Sequence, residues 1–281
     1  MPTPDGMISR KSVLKAAAAL GAAPLLVGGG VALARDQAGT GEPLSLTPEC
    51  HDGDAPTIEQ TEGPYFKPNS PLRSSMVNDG PGTHLIVSGF VFGRACRPIS
   101  GVLLDFWQAD NNGDYDNVTY TFRGHQFTDA NGAYKLDTIV PGLYPGRTRH
   151  IHVKLQAPGR PIVTTQLYFP GEPRNSTDTI YDARLLMNVR QNGNTREGSF
   201  DFVLNVAQTP GTPSPTPTTP TPTATNTGGP TTPPGGTWTP GTLYNAGDRV
   251  TYSGVSYTCL QGHTAMAGWE PPNVPALWKR S

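Results

Sequence analysis

The stretch "QTPGTPSPTPTTPTPTATNTGGPTTPPGGT", beginning at Gln208, is almost entirely proline, threonine, glycine and serine and holds no large apolar side chain. Nothing in it can be buried to offset the entropy of ordering its backbone, so it cannot belong to a core. The chain of 281 residues therefore cannot fold as one globule. Residues 208–236 read as a linker whose prolines favour extended, semi-stiff geometry, a tether that holds two units apart. It separates residues 35–207, enough for one sizeable domain, from residues 237–281, enough only for a small module.

Residues 1–34 are of another kind. Arg10 and Lys11, a moderately apolar run and small residues at Ala32 and Ala34 make the pattern of a cleavable export signal. The run is broken at Gly28, Gly29 and Gly30 and is short for a membrane span. Lysine in second place departs from a twin-arginine pair, which leaves the export route open. The expectation is a secreted, extracellular protein with no membrane contact once the signal is removed. In an oxidising compartment Cys50 and Cys96 are able to close a bridge, with Cys259 left as a small buried hydrophobe. A formal net charge of −1 favours neither nucleic acid nor an anionic membrane as partner, so the substrate belongs in a pocket.

The large segment reads as all-β. "HLIVSGFVFG", "GVLLDFWQA", "GAYKLDTIV", "HIHVKLQA", "IVTTQLYF" and "SFDFVLNVA" are β-branched or aromatic runs separated by turn signals such as Asn111-Asn112-Gly113 and Asn131-Gly132. Such spacing predicts an antiparallel β-sandwich, with a small β-rich C-terminal module beyond the linker. A single short helix is expected around "TIYDARLLMN".

Two of the six histidines stand one residue apart in "RHIHVKL". On a strand His150 and His152 project from one face while Ile151 turns into the core, which is how a strand offers two imidazoles to one metal. Alone, the pair fits zinc, copper or satisfied structural histidines. Tyr144 precedes it closely, and Tyr115 follows the run "LLDFWQA" in a turn-rich loop. A phenol titrates near 10, so its use as a ligand requires a strongly Lewis-acidic ion such as Fe(III). Of the other four, His51, His84 and His125 lack ligand-like spacing, with His125 at most behind a ligand.

"TEGPYFKPNSPLR", "LLDFWQADNNGDYDN", "FRGHQFTDANGAYKLDTIVPGLYPGRTRHIHVKL" and "TTQLYFPGEP" together resemble the intradiol ring-cleavage dioxygenases, over roughly residues 50–207. The resemblance implies a non-haem Fe(3+) centre held by Tyr115, Tyr144, His150 and His152. It also implies cleavage of a catecholic substrate between its hydroxylated carbons with O2 to a cis,cis-muconate. Tyr144 would act as a departing ligand that accepts a substrate proton. Arg147 would stabilise charge on the ring, and Gln166 would bond beside it. Arg149 faces away from His150 and reads as a solvated or structural cation, while Tyr65 is placed at the pocket mouth or in a structural position.

Residues 237–281 resemble the carbohydrate-binding modules of families 5 and 12, through Trp238, Tyr244, "AGDRVTYSGVSY" and "GWEPPNVPALW". The resemblance implies chitin or cellulose as the insoluble partner, and exposed rings would also suit lignin. Trp269 and Tyr244 are expected as carbohydrate-binding platforms and Trp278 as structural. The competing reading is a secreted, non-catalytic polymer-binding protein that keeps only the shape of a dioxygenase sandwich.

Overall fold

Period-two burial builds the large domain: in β1 (His84–Phe92) Leu85, Val87 and Val91 point inward with almost no exposure. The computed structural model describes residue 50 and residues 55–208 and 235–281. The expected export signal, His51 and most of the linker lie outside the described residues. Along the chain follow β2 (Leu103–Trp107), β3 (Arg123–Phe127), β4 (Ala133–Ile139), β5 (His150–Gln156), β6 (Val163–Tyr168), β7 (Asn188–Asn192), β8 (Thr195–Ser199) and β9 (Phe202–Val203). One sheet has the order β4-β1-β8-β7, with β9 also on β1, and the other β3-β2-β5-β6. Leu85, Val87 and Leu136 from the first share a core with Leu104, Phe106, Ile151 and Val153 from the second. Cys50 and Cys96 are disulfide-bonded, and Cys259 is free and buried.

The sandwich departs from the antiparallel expectation at β1, which pairs in parallel with both β8 and β9. Residues 93–194 separate β1 from β8, far more chain than the crossover to a parallel partner needs. The run "SFDFVLNVA" is interrupted rather than continuous: Phe200 N–H donates to Ser88 O, and Asp201 Oδ1 accepts from Phe90 N–H at 2.8 Å. Gly89 permits this bulge, because a Cβ there would overlap the Phe200 carbonyl.

The expected helix is a short 3-10 turn, Ala183–Leu185, capped by the Asp182 side chain. Leu185 and Met187 both reach the core and Leu186 bridges to Tyr168, so extended alternation prevails over helical spacing.

The module consists of β10 (Gly236–Thr237), β11 (Leu243–Tyr244), β12 (Arg249–Tyr252), β13 (Val255–Cys259), β14 (His263–Thr264) and β15 (Trp278–Arg280). They form the sheet β10-β12-β13-β15 and a small β11-β14 ladder. Two aromatic side chains expected as platforms are instead buried. Tyr244 is no platform: it is 1 % exposed, its ring lies edge-on to Trp278, and its hydroxyl accepts from Thr239 N–H at 2.9 Å. A module this small can build a core only by spending its aromatics. Trp269 is likewise buried, at 2 %, edge-on to Phe127 of the large domain at 5.4 Å. The module therefore does not stand apart from the sandwich but packs on β2 and β3.

Candidate metal centre

Strand β5 places His150 and His152 on the outer face of its sheet, 4 % and 3 % exposed. Cross-strand register sets their neighbours. His152 lies opposite Trp107 on one side and Gln166 on the other, and His150 lies opposite Tyr168. Trp107 stacks on the His152 ring at 4.7 Å and 8°. His150 Nδ1 donates to Thr148 O at 2.7 Å, which leaves the Nε2 lone pair free to face the site. The two Nε2 atoms are 3.1 Å apart, and the Tyr115 hydroxyl donates to His150 Nε2 at 3.2 Å.

Burial pushes His150 down to about 4, and burial followed by the neighbouring His150 holds His152 well below its ordinary value. Both imidazoles are thus in the neutral, ligating form at neutral pH. Burial acts oppositely on the Tyr115 phenol, raising it above its usual 10 against the opposing pull of Arg147 and Arg123. Ionising that phenol requires a strong local cation.

The two tyrosine-bearing loops are clamped backbone to backbone. Gly142 N–H donates to Asp110 O at 2.6 Å, and the Asp110 side chain accepts from the N–H groups of Asn112 and Asp114. A Cβ at Gly113 would overlap the Leu143 carbonyl, and one at Gly142 would overlap Gly113 N. Two glycines are needed where these loops touch. Beyond the clamp, Tyr144 meets Tyr115 edge-on at 5.9 Å, and its hydroxyl lies 3.0 Å from that of Tyr65. Tyr65 in turn stacks flat on Tyr115 at 4.5 Å.

Arg147 is fixed from two sides: Nε donates to Asp178 Oδ2 at 2.8 Å and Nη2 to Gln166 Oε1 at 2.7 Å. Gln166 Nε2 donates to Thr61 O at 2.9 Å, which turns its carbonyl toward the arginine. Burial works against ionising Asp178, but the N–H groups of Thr148 and Ile180 and the Arg147 guanidinium outweigh it and hold the carboxyl below its ordinary range. Arg149 pairs with Glu172 and Pro141 O, a structural placement. His125 meets Ser70 and Gly262, away from the histidine pair.

Among the described residues no cluster of three or more His, Cys, Asp or Glu is placed to hold a metal. The set available is two imidazoles and two phenols. His150 Nε2 lies 3.1 Å from His152 Nε2 and 3.2 Å from the Tyr115 hydroxyl, close to the roughly 3 Å that separates two ligands at right angles about 2.1 Å from one ion, while the Tyr144 hydroxyl meets that of Tyr65. The residues therefore fit a single hard, Lewis-acidic ion. Sequence reasoning missed Trp107 and Asp178. Trp107 was signalled by its odd-numbered place in "LLDFW", on the face away from Leu104 and Phe106, whereas nothing in "NSTDTIYD" distinguishes Asp178.

A family model described as dioxygenase matches residues 61–206, and one for carbohydrate-binding module family 5/12 matches residues 237–279. The dioxygenase domain of a dioxygenase carbohydrate-binding protein fusion from the cellulolytic bacterium Streptomyces sp. SirexAA-E is 69 % identical. The match covers 54 % of this chain and all of that one, with a TM-score of 0.54. Chlorocatechol 1,2-dioxygenase of Rhodococcus opacus is 28 % identical over 155 residues, covering 44 % of this chain and 60 % of its own. Chitinase A1 of Niallia circulans is 62 % identical over 42 residues, 15 % of this chain and 6 % of that enzyme. The chain thus spans less than two thirds of these two curated relatives. The chain belongs to the intradiol ring-cleavage dioxygenase family and carries a carbohydrate-binding module of family 5/12 at its C-terminal side.

Proposed function

We propose that this protein is an exported Fe(III) intradiol dioxygenase that opens catecholic rings between the hydroxylated carbons with O2, giving cis,cis-muconates. The observation that carries the reading is the convergence of His150 Nε2, His152 Nε2 and the Tyr115 hydroxyl beside the Arg147–Gln166 pair. Tyr115, Tyr144, His150 and His152 would hold the ion. Iron bound there would supply the Lewis acidity that favours the catechol dianion and draws electron density from the ring.

The remaining work falls to the chain. A catechol must lose two protons; Tyr144, a phenolate while it holds the ion, would accept one at its Oη, which is hydrogen-bonded to Tyr65, and hydroxide from solvent would accept the other. Arg147 is prevented from swinging by Asp178 and Gln166. Its charge acts on Tyr115, His150 and His152 alike, so it stabilises a dianion in the same space. Trp107 walls His152 from water, and the Tyr65 ring covers Tyr115.

Export rests on the N-terminal pattern of a basic pair, an apolar run and Ala32-x-Ala34. A polysaccharide partner, chitin before cellulose, rests on the family 5/12 match and on the chitinase relatives; lignin rests only on the aromatic character of the module. The deciding experiment is the visible spectrum of the iron-loaded chain with catechol in air, with the product identified by mass spectrometry. A tyrosinate-to-iron band that shifts on mixing, followed by a muconate carrying both oxygen atoms of O2, is expected. A colourless protein that stays inert after ferric reconstitution overturns the reading in favour of a polymer-binding protein.

A further inference from the structure

Strand β2 is buried along its whole length, although its sheet has only one face toward the sandwich core. Leu104 and Phe106 enter that core. Leu103 and Asp105, on the outer face, are 1 % and 2 % exposed, and what covers them is the C-terminal module. Leu103 and Phe127 join the module's own apolar cluster. Gly101 lies at the contact, its Cβ position 3.6 Å from Met266 and 3.7 Å from Trp269, ordinary van der Waals range.

One row further along the sheet the contact is polar. Asp105 accepts from Ser70 Oγ at 2.7 Å and from Gln261 Nε2 of the module at 3.2 Å. His125, opposite Asp105 in register, donates from Nε2 to Gly262 O at 3.0 Å. The backbone seals the rim, with Gly159 N–H on Asn273 O and Ala276 N–H on Gln156 Oε1. A non-specific collapse would not supply partners for a buried carboxylate; this surface does.

The consequence concerns binding. None of the module's three tryptophans, Trp238, Trp269 and Trp278, is more than 7 % exposed, so the docked module offers no open indole face for a sugar ring. Trp269 is the one whose ring is met by the large domain, at Phe127. We propose that the module docks on the outer face of the β3-β2-β5-β6 sheet as a self-cover, so that this sheet face and an insoluble polysaccharide compete for Trp269. The docked face is continuous with the metal site: rows Leu103, Asp105 and Trp107 succeed one another on β2, and Trp107 stacks on His152. Release of the module would therefore uncover Leu103 and Asp105, two rows and one row from the row of His152. This inference rests on the polysaccharide reading above for its second partner only.

The test uses the full chain and its Phe127→Glu variant, which sets a carboxylate against Trp269 without touching any residue of the site. Maximum dimension is read by small-angle scattering and retention on insoluble chitin by sedimentation, with catechol turnover as the check of an intact domain. A compact wild type, an extended variant and tighter chitin retention by the variant are expected; a closed state holding nine molecules in ten corresponds to about a tenfold gain in apparent affinity. An extended wild type overturns the docking without any variant. Equal chitin retention despite different dimensions overturns the competition. Retention by neither form, with dimensions that still differ, leaves the docking supported and removes the polysaccharide instead.

Discussion

Trp107 lies flat against His152, ring centroids 4.7 Å apart and 8° from parallel, so the imidazole is held in orientation by packing, Nδ1 having no hydrogen-bond partner among the described residues. The indole substitutes for the carboxylate or carbonyl that more often orients a ligating histidine. Trp107→Phe, which keeps a flat ring, is expected to retain iron. Trp107→Ala is expected to lower iron affinity about 10- to 100-fold and to cost about 3–5 kcal/mol of stability. Metal titration followed by thermal unfolding checks both; equal affinity in the two variants would show that the stack has no orienting role.

Arg147 reaches Asp178 and Gln166 with different nitrogens of one planar group. A lysine ammonium cannot span both acceptors in that geometry. Arg147→Lys should therefore lower kcat on catechol by about 10²-fold or more while iron content stays unchanged. Steady-state kinetics at matched iron loading decides it, and a loss confined to KM would make Arg147 a substrate-binding residue only.

The loop clamp predicts an effect without any change of ligand. In Gly142→Ala the new methyl would overlap Gly113 N and the Asn111 backbone, so the loops carrying Tyr115 and Tyr144 must separate. Loss of the tyrosinate-to-iron absorption is expected with His150 and His152 intact. A variant that binds iron with unaltered colour removes the clamp from the account.

Asp105 carries a pH signature. Burial pushes its carboxyl up to about 7, and the Ser70 and Gln261 hydrogen bonds offset that only in part. The folded state thus holds the proton more tightly than the unfolded chain, so the favourable contribution is complete below the unfolded value near 4 and is lost as pH rises through 7. Asp105→Asn, with the Gln261 amide free to flip, should raise the melting temperature at pH 8 and change it little near pH 4. Thermal unfolding of both proteins at the two pH values measures this, and the opposite ordering would mean that the carboxylate is stabilised by its neighbours.

Local chemistry determined a good part of this protein. Alternation of polar and apolar residues in β5 specified which side chains enter the core and set His150 and His152 on one face. The proline-threonine tract divided the chain, and the phenols of Tyr115 and Tyr144 beside the histidine pair pointed to a hard metal ion, whereas the role of Arg147 came only with the family resemblance. What sequence spacing could not supply is the set of neighbours each face meets. Strand β3 reads as polar because Arg123 and His125 are buried on a face covered from elsewhere, and the hairpin β7–β8 is polar apart from Val189, with Asn192-Gly193 as its turn signal. Asp178 stands 31 residues from the Arg147 it holds. The facing of Tyr244 and Trp269 was decided by what packs against them: the Tyr244 ring by Trp278 inside the module, and the Trp269 ring by Phe127 across from it. An aromatic side chain satisfies its apolar area equally well in a core, at a docking surface or under a sugar ring, and only the tertiary structure selects among them.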